Sequence, residues 1–413
     1  MKKALLLTIC CILSFVASAQ DKFVGGDISL LTKYEEAGVV YKDNNGNTVQ
    51  PLTFFYEQGL NAMRVRLFVD PSKASEEDKK EGVVQDLEYV KALGKRIKDA
   101  GFKLMLDFHY SDTWTDPGQH STPSAWSTLD AEGIADKVYE YTKDCLQQLN
   151  TSGATPDFIQ VGNEINVGML WPTGAVYESG GAPAGGSWNN FAFYLSNGIK
   201  ACNEECPNAQ IIIHAALNEP NNLPAFYNKL DGYTGVKYQI IGLSYYPAYH
   251  KNIQALENVI MNLETQEPDK DIMIVETGYS YAWALPKTTY NYTSTYPYTE
   301  EGQRNFTADL ITMLNKYECV KGLFWWWPED NGNKNVTTSW WNAALYNHNT
   351  GQPYAALYEL KNFLGDPSGI ETINREPLTV NQHAWYTLDG RKLNGAPNQR
   401  GIYIHNGKKM VVR

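Results

Sequence analysis

The chain of 413 residues, 43% hydrophobic and 20% charged, is long enough for one large globular domain with a small addition, or for two ordinary domains. Its formal net charge of −11 argues against a nucleic-acid partner, because no basic field is present to hold phosphates. The 27 tyrosines and 11 tryptophans exceed what a core requires, and sugar-binding clefts and protein interfaces both use such side chains.

The N-terminus has the pattern of a secretory signal peptide. Lys2 and Lys3 give a basic start, residues 4–16 are mainly apolar, and residues 17–19 form a small-residue cleavage site. The apolar run is too short for a membrane span. A lipoprotein anchor on Cys10 or Cys11 is disfavoured, because the residue before each cysteine is not small. We therefore predict a signal peptide over residues 1–19, which implies export to the periplasm, the cell surface or the medium.

The chain that follows alternates short apolar runs with segments of helical period. The predicted strands are residues 22–28, 62–68, 103–109, 157–163, 210–214, 238–246, 272–276 and 320–326. The first helical stretch ends around residue 59, and the later helices are residues 84–100, 133–148, 188–204, 223–230, 253–264, 300–314 and 354–363. Eight such pairs predict a (β/α)8 TIM barrel over residues 20–367, with long loops at one end of the barrel. An open doubly wound sheet is the alternative, but it leaves the polar residues at nearly every strand end unexplained.

The composition changes from about residue 368. Segments 383–388 and 401–405 resemble short strands separated by turn residues, which predicts a small β module or tail over residues 368–413. The module is similar to C-terminal modules on other exported bacterial enzymes, some of which serve sorting. A passive appendage is the favoured interpretation.

Polar residues end nearly every predicted strand of the barrel. They are Asp27, Arg64, Arg66, Asp107, His109, Asn163, Glu164, His214, Tyr245, Tyr246, Glu276 and Trp326. Any one of them is more often a scaffold residue, but together they predict a polar mouth at the carboxyl ends of the strands, where barrel enzymes place their chemistry. Glu164 and Glu276 each end an apolar run, and paired carboxylates that face one bond are the groups that hydrolyse glycosides.

Six short motifs carry a resemblance to a known family. They are residues 25–29 (GGDIS), 64–66 (RVR), 111–117 (SDTWTDP), 162–164 (GNE), 275–277 (VET) and 324–326 (FWW). From about residue 22 to 365 the chain resembles glycoside hydrolase family 53, the endo-β-1,4-galactanases. The SDTW loop makes the resemblance specific within the wider clan of barrel hydrolases.

The resemblance implies a retaining mechanism, in which Glu164 is the acid/base and Glu276 the nucleophile. It also implies that Asn163 holds the sugar 2-hydroxyl, that Arg66 keeps Glu276 ionised, and that Tyr246 hydrogen-bonds Glu276. The remaining substrate-binding residues implied by the resemblance are Asp27, His109, Trp114, Asp116 and Trp326. Trp326 is the expected stacking floor for a sugar ring, and its neighbours Trp325 and Trp327 are the alternatives for that role. The expected partner is galactan or type I arabinogalactan, cleaved internally by a monomer.

Two departures from the family pattern bear on metal binding and on the cleft. Many bacterial members carry a calcium loop after the nucleophile, but residues 279–298 contain no Asp, Glu or His, and calcium usually requires carboxylates. We therefore predict no metal and no cofactor. Trp327 stands where the family commonly has Glu before a proline. Residues 330–333 resemble a solvated turn more than a cation site.

Two other functions remain open from the sequence. The first is a metal-dependent hydrolase that uses His109, Asp112, His120 and His214, although their spacing matches no metal motif and the two glutamates would be idle. Nor do the four cysteines outside the signal peptide, Cys145, Cys202, Cys206 and Cys319, have zinc-site spacing. The second function is a carbohydrate-binding barrel without catalysis, in which both glutamates would be dispensable.

Overall fold

The computed structural model describes residues 22–176, 183–217, 223–332, 338–365, 385–387, 393, 395–397, 401–405 and 408–412. The predicted signal peptide, residues 1–19, lies outside the described residues. The chain divides into two compact units, Met1–Gly365 and Asp366–Arg413.

Eight parallel strands of the first unit close into a barrel in chain order, with the last strand beside the first. They are β1 Phe23–Asp27, β2 Ala62–Leu67, β3 Lys103–Phe108, β4 Phe158–Val161, β5 Gln210–Ala216, β6 Ile240–Tyr245, β7 Asp271–Thr277 and β8 Val320–Trp326. Almost every residue in them is buried, which is why they read as continuous apolar runs in the sequence. The predicted (β/α)8 barrel is confirmed.

Helices connect the strands and cover the outside of the barrel. They are α1 Leu31–Glu36, α2 Pro51–Glu57, α3 Glu76–Lys80, α4 Leu87–Asp99, α5 Ala131–Ser152, α6 Trp188–Glu205, α7 Leu223–Asp231, α8 Pro247–His250, α9 Ile253–Gln266, α10 Glu300–Leu314 and α11 Ala355–Glu359, with short 3-10 turns at Pro71–Lys73, Ser124–Trp126, Trp341–Ala343 and Leu360–Leu364. Side-chain caps set the starts of the long helices: Asp130 accepts from Gly133 N and Thr299 accepts from Gly302 N. The predicted helix over residues 354–363 is divided between α11 and a 3-10 turn.

The barrel interior changes from apolar to polar along the strands. Its amino-terminal half holds a cluster of Ala62, Met105, Phe158, Ile212, Ile240, Met273, Val275 and Phe324. Side chains two residues apart in a strand share a face. The residues two positions further along β2 to β5 therefore also point inward. They are polar: Arg64, Asp107, Gln160 and His214. The apolar layer closes one end of the barrel, and the polar layer forms the floor of a mouth at the other.

A bulge in β7 sets the direction of the Glu276 side chain. β6 pairs Leu243 with Ile274 and then Ser244 with Glu276, so the register leaves Val275 without a partner on β6. Val275 belongs to the interior cluster, and strict alternation would turn the following residue outward toward the helices. The extra residue resets the alternation. Glu276 consequently enters the mouth of the barrel.

The second unit contains a three-stranded antiparallel sheet. Its strands are β9 Trp385–Thr387, β10 Gly401–His405 and β11 Lys408–Val412, in the order β11-β10-β9. β9 and β10 fall within the two segments predicted as strands, and β11 is an additional strand at the end of the chain.

Among the described residues, no helix combines the length and the apolar content that a membrane crossing requires. The four cysteines outside the predicted signal peptide are free thiols, and only Cys319 is partly exposed.

Candidate active site

Glu276 lies in the barrel mouth between a cation and a tyrosine. Nη2 of Arg64 lies 2.9 Å from Oε1 of Glu276, and the hydroxyl of Tyr246 donates to Oε2 at 2.9 Å. Arg64 extends inward from β2, and Tyr246 directly follows β6. Both groups favour the ionised carboxylate.

Glu164 lies just after β4 in a backbone conformation that side chains rarely adopt. Its φ is +49°, and φ at Gly162 is +93°, so the chain turns sharply at the end of the strand. Two histidines hold this turn: the Glu164 N–H donates to Nδ1 of His214 at 3.3 Å, and Nε2 of His120 lies 3.3 Å from the Glu164 carbonyl oxygen. The strained backbone is therefore fixed from both sides.

The two carboxyl groups have unequal electrostatic surroundings. Burial raises the pKa of Glu276 to about 7, while the charge of Arg64 and the hydrogen bond from Tyr246 oppose that rise. The pKa of Glu164 is raised well above its usual range, first by burial and then by the negative charge of Glu276. Of the two carboxyl groups, Glu164 is therefore the more readily protonated and Glu276 the more readily ionised.

A hydrogen-bonded chain links β5 and β6 to Glu164. Nδ1 of His214 lies 3.3 Å from the Glu164 backbone nitrogen and 2.9 Å from Oδ1 of Asn163, and the other ring nitrogen, Nε2, lies 2.8 Å from Oγ of Ser244. The Ser244 hydroxyl in turn hydrogen-bonds the Glu164 side chain. Burial lowers the pKa of His214 well below its usual range, and Arg64 adds to this effect, so the ring stays neutral.

Arg64 is the centre of the polar layer. Its guanidinium lies 2.8 Å from Asp27 and 2.8 Å from Asp107, and it donates to Gln160 and to Asn163 at 2.9 Å each. Burial alone would raise the pKa of Asp107, but the charge of Arg64 is the main cause that lowers it to about 2. The buried cation is thus fully surrounded by acceptors, as burial of a charge requires.

The predicted pairing of Arg66 with Glu276 is wrong. Nη1 of Arg66 lies 2.7 Å from Oδ1 of Asp27, and Arg64 takes the place beside Glu276. Both arginines point to the same face of β2, but Arg64 is two residues deeper and reaches across the barrel to β7. Asp27 is fully buried with one oxygen on each arginine, so it orients both of them.

Three tryptophans lie around the Arg66 guanidinium, with ring centres 4.7 Å away for Trp114 and 5.2 Å away for both Trp326 and Trp327. Trp326 stacks on Trp327 at 4.7 Å and 27°. Trp114 and Trp326 remain partly exposed, whereas Trp327 is 3% exposed and supports them from behind. The sequence placed Trp114 and Trp326 in the site, and the structure brings them together.

The other predicted substrate-binding residues differ in how accessible they are. His109 is 2% exposed, its Nδ1 accepts from the Thr115 N–H, and its Nε2 lies 3.1 Å from Asp107, so its ring nitrogens face the protein. Asn163 is in the mouth and donates one amide hydrogen to the Thr115 carbonyl at 2.8 Å. Asp116 is partly exposed, and burial raises its pKa.

Sequence reasoning missed Gln160, Ser244 and Thr115. Gln160 lies inside β4 rather than at its end, and donates to Asp107 and His214 at 3.0 Å each. A polar residue in an otherwise apolar strand was the available signal. Ser244 and Thr115 act through hydrogen bonds made across the mouth, which no sequence spacing reveals.

The four residues considered for a metal site have other partners. Asp112 accepts from the Ser124 N–H and hydroxyl, and His120, His109 and His214 contact the groups described above. Within the described part of the chain, no three His, Cys, Asp or Glu side chains are grouped to hold a metal ion. Asp330, the first residue of the predicted turn, accepts from the backbone N–H groups of Gly332 and Thr338, while residue 333 lies outside the described part.

A (β/α)8 barrel with two buried glutamates at the carboxyl ends of its fourth and seventh strands, one paired with a cation, defines a glycoside hydrolase. The model of Glycosyl hydrolase family 53 matches residues 23–359, and the chain belongs to this family. The family predicted from the six motifs is confirmed.

Relatives and solved structures agree with this assignment. The chain is 31% identical over 359 residues to the probable arabinogalactan endo-β-1,4-galactanase A of Aspergillus terreus, covering 84% of this chain and 96% of the relative. It is 30% identical over 326 residues to the arabinogalactan endo-β-1,4-galactanase A of Aspergillus niger, covering 76% and 87%. A solved fungal β-1,4-galactanase is 27% identical with a TM-score of 0.71, covering 82% of this chain and 98% of that one.

Proposed function

We propose that the protein is an endo-acting galactanase that hydrolyses β-1,4-galactosidic bonds of galactan and type I arabinogalactan with retention of configuration. The observation that carries the proposal is the unequal environment of the two glutamates. Arg64 and Tyr246 contact Glu276, whereas the largest influence on Glu164 after burial is the charge of Glu276. A retaining enzyme requires this division between an ionised and a protonated carboxyl.

In the first step, Glu276 attacks the anomeric carbon while Glu164 protonates the glycosidic oxygen. The glycosidic bond breaks, and the sugar becomes esterified to Glu276. The negative charge of Glu276 is consumed, which removes the largest influence after burial that raises the pKa of Glu164. Glu164 then takes a proton from water, which attacks the same carbon and releases Glu276.

Asn163, Trp114, Asp116 and Trp326 complete the proposed substrate site. One amide hydrogen of Asn163 is committed to Thr115, which leaves the second available to a sugar hydroxyl beside Glu164. Trp114 and Trp326 offer partly exposed rings, and Asp116 a partly exposed carboxyl. Asp27, Arg66 and His109 act beneath them, as positioning residues.

The test is a product profile of the purified chain on linear β-1,4-galactan beside mannan, xylan and cellulose. We expect rapid release of mixed oligosaccharides from galactan alone, and no release by the Glu276→Gln variant. Equal activity on mannan or cellulose would contradict the substrate assignment. Binding of galactan without new reducing ends would support the carbohydrate-binding barrel instead.

We also propose that the enzyme is exported and acts as a monomer. Support for export comes from the signal-peptide pattern of residues 1–19, and a polymeric substrate is too large to enter a cell intact. Mass spectrometry of the mature protein should find Gln20 at its N-terminus, and light scattering should give the mass of one chain.

A further inference from the structure

Glu329 is a fully buried acid in the loop that follows β8. The Leu30 N–H donates to its Oε1 at 3.0 Å, and the Tyr41 hydroxyl donates to its carbonyl oxygen at 2.8 Å. The two loops are closely packed here, since a Cβ atom added at Gly26 would lie 2.5 Å from Cγ of Pro328. Glu329 therefore ties the loop after β1 to the loop after β8.

Glu329 lies close to the ion pair of Asp27 and Arg66. Burial raises the pKa of Glu329 well above its usual range, the negative charge of Asp27 raises it further, and the positive charge of Arg66 opposes both. A carboxyl group with such a pKa is a neutral acid at neutral pH. The charge of Arg66 is consequently left to Asp27, whose Oδ1 lies 2.7 Å from Nη1.

The other titratable groups that face Glu329 come from α1, the loop after it, α4 and the loop after β8. They are Tyr34, Tyr41, Tyr89 and Asp330. Burial raises the pKa of each of these tyrosines, so their hydroxyls are neutral. Asp330 accepts from the backbone N–H groups of residues 332 and 338. None of these four groups is a cation, so Arg66 is the cation to which an ionised Glu329 would turn.

An ionised Glu329 would compete with Asp27 for Arg66. Within the described part of the chain, Oε2 of Glu329 and Nε of Arg66 are both buried without a hydrogen-bond partner. Each atom can therefore make one more bond, and bonds between ionised groups are the strong ones. The rings of Trp114 and Trp326 lie over the Arg66 guanidinium, so a shift of this group would disturb both rings.

We propose that Glu329 is a positioning residue that works as a neutral acid, holding the loops after β1 and β8 together without drawing Arg66 away from Asp27. The proposal rests on the proposed function, because Trp114 and Trp326 are sugar-binding rings only in that function. Glu329 is fully buried, so its effect on the substrate passes through Arg66. Substrate binding is then intact at a pH below the pKa of Glu329 and weakens as the pH rises through it.

The test follows kcat/KM on galactan against pH in Glu329→Gln and in the wild type. Glutamine has the shape of the neutral acid, keeps an acceptor for the Leu30 N–H and cannot ionise. The ratio of kcat/KM, variant over wild type, should be near one at low pH and should rise about tenfold at alkaline pH, through KM. A hydrogen bond to a charged group contributes enough free energy to change an affinity by that factor. The ratio also removes any pH limb that both enzymes share, such as that of Glu164.

Glu267→Gln is the matched control. Glu267 is also buried, and burial raises its pKa to about 7, but it follows α9 just before β7 begins, at the amino-terminal end of the barrel. Its ratio to the wild type should not change with pH. Glu329→Ala removes the tie between the two loops, so its kcat/KM should fall about tenfold at every pH, again through KM.

Four results would contradict these expectations, and they bear on different claims. A ratio for Glu329→Gln that stays constant with pH would overturn the proposal, and so would full activity of Glu329→Ala. A loss of activity in Glu329→Gln at low pH with an unchanged Tm would show that the ionised form is the working one. The glutamine variant decides the question even if the alanine variant does not fold. A wild-type enzyme that does not cleave galactan would instead contradict the proposed function itself.

Discussion

Arg64 and Glu276 form an ion pair across the barrel, with Nη2 and Oε1 2.9 Å apart and side-chain exposures of 0% and 6%. Arg64 also contacts Asp27 and Asp107, so a single buried cation faces three carboxylates. A buried ion pair is stable only when the remaining donors and acceptors of both charged groups are also hydrogen-bonded. The ion pair favours the charged form of Glu276, which its proposed role as the nucleophile requires.

Removal of the Tyr246 hydroxyl should change the pH profile. The hydroxyl lowers the pKa of Glu276, so in Tyr246→Phe this pKa rises and Glu276 becomes protonated at higher pH. The acid limb of kcat/KM should therefore move to higher pH, and the optimum value should fall about ten- to one-hundredfold, because a hydrogen bond to a charged group contributes about 1.5–3 kcal/mol.

Tyr249→Phe is the matched control for this measurement. Its hydroxyl donates to the Pro286 carbonyl, and its ring is next to that of Tyr246. Its pH profile should match that of the wild type. An acid limb that stays in place in Tyr246→Phe would show that Tyr246 does not set the ionisation of Glu276.

Gln160→Ala should destabilise the barrel. Gln160 accepts from Nε of Arg64 at 2.9 Å and donates to Asp107 at 3.0 Å, so its loss leaves buried polar atoms without partners. We expect the free energy of unfolding to fall by about 3 kcal/mol and Tm to fall by about 5 °C, measured by thermal denaturation. Gln254→Ala, on the exposed face of α9, should leave Tm unchanged. An equal Tm for both variants would show that the polar layer tolerates the loss.

Activity and Tm should survive exhaustive chelation. The loop after Glu276 offers no carboxylate between residues 279 and 298, and calcium binding usually requires several. Tyrosine rings pack this loop instead: Tyr279 stacks on Phe306 at 4.8 Å, and its hydroxyl donates to the Tyr296 carbonyl. A large fall in Tm with chelator that calcium reverses would show that a metal site was missed.

A truncated chain of residues 20–365 should fold and cleave galactan. The first compact unit ends at Gly365, and both glutamates with all their described contacts lie within it. Reducing-end release by the truncated chain should match that of the full chain within about twofold, since a separate domain carries its own core. An insoluble or inactive product would mean that the barrel depends on the second unit.

The fold and the two glutamates were predictable from the sequence, but their surroundings were not. Strands buried on both faces leave apolar runs of recognisable length, and each glutamate ends one of them. Alternation along β7 alone points Glu276 away from the mouth, because Val275 faces the interior. The bulge that corrects this depends on pairing with β6, and pairing is a tertiary property.

The wrong prediction that Arg66 rather than Arg64 pairs with Glu276 has a similar cause. Two arginines on the same face of a strand are equivalent in sequence, and only the depth of each in the barrel decides which one reaches β7. His109 and Asp27 were correctly expected at strand ends, yet both are turned into the polar layer by partners from other strands. Contacts of this kind become visible only when the barrel is closed.

In the proposed mechanism, Glu276 is the nucleophile and Glu164 the acid/base. The most direct measurement gives Glu164→Ala an aryl β-1,4-galactobioside with a good leaving group, and adds azide. This leaving group departs without a proton, so the glycosyl-enzyme should accumulate until azide attacks it and releases the β-galactobiosyl azide. Glu276→Ala with azide should give the α-azide, by direct attack on the opposite face. An α product from Glu164→Ala would exchange the two roles, and undiminished galactan cleavage by both variants would contradict the mechanism.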